Sequence, residues 1–174
     1  MPRFRFTPSA SGLLALVLVV GTHVSAATDD TIKVQFDTAK TGPRAVEPLT
    51  QKSILRDYRE AWNSMAAALE SNSLDLLAGP FTGEARKWLG ESVSSQQKSG
   101  LSRRYTDQNH KVQAVFYAPE GDVIELHDTA EYQLQILDQG KVIHEERVTA
   151  HYVVLMTPSA DRWTVRLLQS VPQF

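Results

Sequence analysis

The 174-residue chain contains no cysteine. That excludes disulfides, thiolate nucleophiles, cysteine metal ligands and a lipid-modified cysteine. Stability must therefore come from an apolar core. A strong charge of either sign is also missing: 18 Lys and Arg stand against 20 Asp and Glu, a formal net charge of -2. Such a chain is poorly suited to nucleic acid, where phosphate neutralisation supplies most of the affinity. The Arg103-Arg104 pair reads as a solvated strand start rather than a phosphate site. Glycine-rich phosphate loops do not occur, nor does Gly-x-Ser-x-Gly. His110, His127, His144 and His151 form no His-x-His or His-x-x-x-His pair. With cysteine absent as well, the sequence offers no metal site and calls for no cofactor.

One apolar run is present, and it is short. Leu13 to Val20 reads LLALVLVV, preceded by Arg3 and Arg5 and followed by Val24-Ser25-Ala26. A basic start, an apolar middle and small residues at the end form a secretory signal, expected to be cut before Ala27. A membrane span needs about 20 apolar residues, so an uncleaved anchor is the weaker reading. Cleavage leaves about 148 residues with 16 basic and 20 acidic side chains, a formal charge of -4. That length suits one domain. The expected location is outside the cytoplasm, periplasmic or extracellular, with membrane contact only if the signal stays uncleaved.

Residues 27–50 carry Thr, Asp, Lys, Gly and Pro with little periodicity, and Pro43 and Pro48 discourage regular structure. They are expected to form a flexible linker, although Ile32, Val34 and Phe36 alternate as a short edge strand would. Residues 51–174 form the expected domain. Leu55, Tyr58, Trp62, Met65, Ala66 and Leu69 recur in steps of three and four, which predicts a helix over Ser53–Glu70. A short second helix is expected over Leu74–Ala78, stopped by Gly79-Pro80. A third runs from about Glu84 to Gln97, with Ala85, Trp88, Leu89 and Val93 facing the core and Gly100 closing it.

The period then changes to two. Val112, Ala114 and Phe116 alternate with polar neighbours; so do Ala130, Tyr132, Leu134 and Ile136; so do Val148 to Met156, and Trp163, Val165 and Leu167. Pro119–Asp122 and Asp138-Gln139-Gly140 are turns between them. His127-Asp128-Thr129 is a candidate bulge. Helices followed by a curved antiparallel sheet give an α+β fold in which the sheet wraps the first helix as a cone.

Three segments carry a family resemblance over roughly residues 51–172. They are Tyr58-Arg-Glu-Ala-Trp62, Asn72-Ser-Leu-Asp-Leu76, and the terminal hairpin of His151-Tyr-Val-Val-Leu-Met156 with Asp161-Arg-Trp-Thr-Val165. In these the chain resembles the nuclear-transport-factor-2-like superfamily, also described as cystatin-like or SnoaL-like. The resemblance implies a cone-shaped α+β fold. It implies little about activity, because the fold hosts isomerases, dehydratases, hydrolases, assembly factors and import adaptors.

The enzymatic branches of that resemblance transfer poorly. The isomerase-type tyrosine slot on the first helix holds Met65, and Glu91 is the one carboxylate between residues 85 and 100. Asp128, Arg147 and Asp161 supply the residue types of the hydrolase branch without a readable geometry. No catalytic residue is therefore assigned. The candidate ligand-pocket residues are Tyr58, Trp62, Trp88, Tyr132, His151 and Trp163, which would line the mouth of the cone. The expected role is an exported, non-catalytic binding or assembly module of the cell envelope. The rival role is a small-molecule pocket with isomerase- or hydrolase-like chemistry. The expected partner is a protein or an apolar small molecule, and a homodimer through the sheet is a further arrangement. A cone plugged by Trp62, Trp88 or Met65 would favour assembly, and an open one with buried polar groups would favour the pocket.

Overall fold

The computed structural model describes residues 32–174. The expected signal, residues 1–26, lies outside the described residues. The architecture is α+β: two helices pack on one face of a six-stranded mixed sheet that does not close.

The stretch read as linker is structured from Lys33 onward. Strand β1 (Lys33–Asp37) and the two-residue β2 (Gly42–Pro43) both pair parallel with a later strand, so the sheet is mixed rather than antiparallel throughout. The alternation of Ile32, Val34 and Phe36 carries β1: Ile32 is buried and the other two pack on the core.

Helix α1 (Pro48–Ser71) starts earlier than expected, because proline in the first turn loses no hydrogen bond there. It buries Ile54, Tyr58, Ala61, Trp62, Met65, Ala68 and Leu69. It ends on Asn72 in the left-handed region, at φ 54°, with the Asn72 and Ser73 amides both donating to Ala68 O. Asp75–Leu77 is one turn of 3-10 helix rather than a full helix. Helix α2 (Gly83–Ser99) follows and is closed by Gly100 at φ 71°. The buried Gln96 side chain ties the two helices, donating to Leu69 O and to Asn72 Oδ1, both at 2.8 Å.

Four antiparallel strands complete the sheet: β3 (Leu101–Tyr117), β4 (Ile124–Asp138), β5 (Lys141–Pro158) and β6 (Trp163–Val171), in the order β1-β3-β4-β5-β6 with β2 also on β3. The β4–β5 turn is the expected one, with Gln139 at φ 49° and Gly140 at φ 80°. Helix α1 touches both β3 and β6, which are three strand positions apart, so the sheet curls around it.

Register shifts explain where the alternation breaks. Between Ala114 and Phe116 the β3–β4 register slips, so Tyr117 is buried and Phe116 faces out, against the expected pattern. A slip between Leu155 and Met156 does the same to β6, burying Leu168 where Leu167 was expected. The expected bulge at His127–Thr129 is absent: those residues pair in unbroken register with Val153, Tyr152 and His151. No helix among the described residues is long and apolar enough to cross a membrane.

Candidate functional site

Unbroken register through β4 puts Asp128 on the same inward face as Leu126, Ala130 and Tyr132. On β3, His110 faces the same way as Val112 and Ala114. On α1, Tyr58 lies one turn before Trp62 on the buried stripe. These three elements converge. Tyr58 Oη donates to Asp128 Oδ2 at 2.6 Å, and His110 Nδ1 lies 2.7 Å from the same oxygen. Both side chains of the His110–Asp128 pair are fully buried.

Burial costs a charged group several kcal/mol unless partners compensate, so such a cluster is either well satisfied or functional. Here it is satisfied on one side only. Asp128 Oδ1 and His110 Nε2 have no hydrogen-bond partner among the described residues. Burial pushes the Tyr58 phenol well above its ordinary range, and the neighbouring Asp128 charge adds to the shift. Tyr58 therefore keeps its proton at neutral pH and acts as the donor in this bond.

Aromatic rings enclose the cluster. The Trp62 indole lies 4.4 Å from the His110 ring and 5.5 Å from that of Tyr152. Tyr132 Oη meets Tyr152 Oη at 3.1 Å, and the Tyr105 ring is 5.1 Å from that of Tyr132. Burial raises all three of these outer phenols, with Tyr105 pushed up to about 12.

The space bounded by Tyr58, Trp62, Met65, Phe81, Val165 and Leu168 does not admit a water-sized sphere. Trp62 and Met65 fill the cone. The arrangement ties α1, β3 and β4 together through one carboxylate oxygen.

Of the six residues singled out by sequence, Tyr58, Trp62 and Tyr132 meet in this interior. Trp163 is buried at the start of β6, its ring centroid 6.3 Å from that of Tyr117, and its amide donates to Asp57 Oδ2 at 2.8 Å. The other two lie elsewhere. Trp88 is 50% exposed, because the buried stripe of α2 runs through Ala85, Leu89, Val93 and Gln96 and leaves the indole to one side. His151 belongs to the outer face of the sheet, bonded to Thr129 Oγ1 at 3.1 Å with the Phe174 ring 5.2 Å away. His110 and Asp128, weighed in the sequence only as a metal ligand and as a hydrolase-type residue, were not among the pocket candidates. Their signal was parity: each sits two residues before an apolar inward position.

The larger concavities open outward. A trough of about 700 Å³ runs along α2 past Leu74, Arg86, Lys87, Gly90, Ser94 and Lys98. A polar one of about 330 Å³ is lined by Arg56, Asp57, Glu60, Asp161 and Arg162. A third, of about 360 Å³, lies between Trp88 and β6. No group of three His, Asp or Glu residues among the described residues is placed to hold a metal ion.

Neither a family model nor a curated protein matches the chain in sequence. Among solved structures, the chain is similar to the intermembrane-space region of the chloroplast protein ARC6, with a TM-score of 0.58 and 15% identity over 74% of this chain and 98% of that one. At that identity the likeness is one of fold. A de novo designed β-sheet protein overlaps 69% of the chain at 12% identity with a TM-score of 0.37.

Proposed function

We propose that this protein is an exported, non-catalytic binding or assembly module of the cell envelope, built on a cone of the nuclear-transport-factor-2-like type. The observation that carries the reading is the plugged cone. Trp62 and Met65 occupy the volume that a ligand would need, and no water-sized space remains beside Tyr58. Binding is left to the outer surfaces, and the partner is a protein. Export rests on the Arg3–Ala26 signal pattern. The fold likeness to a domain from an intermembrane space supports an envelope setting.

The experiment is a thermal melt of the protein across a panel of apolar and acidic metabolites, paired with crosslinking in envelope extracts. A ligand at 100 times its dissociation constant adds about 2.7 kcal/mol, which a melt resolves. A flat panel with a specific crosslinked partner is expected. A ligand that raises Tm, and loses that effect in Trp62→Phe, would overturn the reading.

One observation favours the small-molecule alternative. Asp128 Oδ1 and His110 Nε2 are two buried polar atoms without partners among the described residues, next to a cage of aromatic rings. If Trp62 swung aside, an apolar ligand with one polar group could reach them. The same panel tests this.

A further inference from the structure

Trp88 is the large apolar side chain of α2 that the core leaves out. With Glu84 it forms one wall of the groove of about 360 Å³, whose other wall is Leu167, Leu168, Gln169 and Ser170 of β6. That wall is a sheet edge. β6 is the last strand of the sheet, and β5 pairs its inner side only.

The outer side of β6 already accepts a strand at one point. Val165 N donates to Pro80 O and Val165 O accepts from Thr82 N, both at 2.9 Å, and Phe81 bridges Val165 in parallel. At Gly83 the chain leaves the edge and turns into α2. From Leu167 to Val171 no strand among the described residues pairs the outer edge of β6. The result is an unpaired strand edge beside a helix, lined by Leu167, Leu168 and an exposed indole.

We infer that this groove binds an extended peptide segment of a partner protein by strand addition to β6. The segment pairs with Leu167–Val171, about 17 Å of edge at roughly 3.4 Å per residue, and sets one apolar side chain against Trp88. Charge selects its neighbour. Glu84 is 75% exposed, with Lys87 at 3.8 Å as its ion-pair partner among the described residues, so a basic residue on the segment gains an acidic counterpart. This rests on the binding-module reading and supplies its partner chemistry.

The chain has a second free edge, and comparison with it sharpens the choice. β5 runs from Lys141, but β6 covers it only from His151 onward. The uncovered part carries Lys141, His144, Glu145, Glu146 and Arg147 together with Val142 and Ile143, all exposed, and no helix among the described residues stands beside it. Charged side chains along an edge are how proteins discourage strand pairing. The β6 edge has Trp88, Leu167 and Leu168 beside a helix, whereas charged side chains and His144 outnumber the two apolar ones on the uncovered β5 edge.

The test is to pan a phage-displayed random heptapeptide library on the whole protein, with counter-selection on Trp88→Ala. Trp88 lies outside the core, and circular dichroism checks that the variant is folded. The expected result is a set of peptides with alternating apolar residues and a Lys or Arg. They should bind at least tenfold more weakly to Trp88→Ala, weaken on N-methylation of alternate amides, and slow amide exchange at Leu167–Val171. In Glu84→Lys the enriched set should exchange its basic residue for an acidic one. No enrichment over the counter-selection would overturn the groove, as would peptides that protect Lys141–Ala150 instead. Peptides bound elsewhere overturn the groove and leave the binding-module reading standing. A metabolite that stabilises the cone overturns that reading whatever the peptides do.

Discussion

The phenol of Tyr58 and the carboxylate of Asp128, 70 residues apart in the chain, meet at 2.6 Å in complete burial. The bond joins the middle of α1 to the middle of the sheet. Tyr58→Phe keeps the ring and removes the donor, which leaves a buried carboxylate with His110 as its remaining partner. The expected cost is about 1–3 kcal/mol. Asp128→Ala should cost more, about 3–5 kcal/mol, since it strips a buried histidine of its counterpart. Urea unfolding of both single variants and the double variant measures the coupling. Additive costs would mean that the two groups do not sense each other.

The raised tyrosines set the alkaline limit of the fold. Tyr58, Tyr105, Tyr132 and Tyr152 all hold their protons more tightly when folded, chiefly because burial disfavours the phenolate. Their contribution is fully present below the unfolded value of about 10 and is lost as pH rises beyond it. For Tyr105, shifted to about 12, the loss between pH 10 and 12 amounts to about 2–3 kcal/mol. Chemical denaturation at pH 8, 9, 10 and 11 should show a plateau and then a fall. Tyr105→Phe should make the fall shallower, and an unchanged slope would contradict the assignment.

Much of this fold was legible in the sequence, and the failures share a cause. Helix α1 could be read from Leu55 to Leu69 because a 3.6-residue stripe survives small errors of boundary. The hairpin at Gln139-Gly140 could be read because both positions need left-handed backbone. Phe116 and Leu167 were placed inward because alternation assumes unbroken register, and a single inserted residue inverts everything after it. β1 was half seen: its alternation is real, but a parallel partner 76 residues away leaves no local mark. The polar centre of the interior was not read as one cluster for a different reason. An inward Asp or His reads as a defect in an apolar pattern, and only the fold shows that Asp128, His110 and Tyr58 complete one another.

Two tryptophans separate core from surface. Trp62 is buried among His110, Tyr132 and Tyr152, so Trp62→Ala should cost about 3–5 kcal/mol. Trp88 is half exposed, and Trp88→Ala should fall within about 0.5 kcal/mol of the parent. Melting curves of the two variants decide this. A large loss from Trp88→Ala would place the indole in the core and remove the wall of the β6 groove.

Asp57 and Arg56 are neighbours in an ion pair of 2.7 Å, yet they should respond to mutation very differently. The Arg56 side chain is 64% exposed, and an exposed pair is worth about 0–1 kcal/mol. The Asp57 carboxylate, in contrast, is buried and accepts the backbone amide of Trp163, which joins α1 to the first residue of β6. Asp57→Ala leaves that amide unpaired and should cost about 1–3 kcal/mol, whereas Arg56→Ala should be nearly silent. Amide exchange at Trp163 gives an independent readout, because the loss of its acceptor should raise the local opening rate in the first variant only. If Arg56→Ala proved the more damaging, the ion pair rather than the amide would be what anchors β6 to the helix.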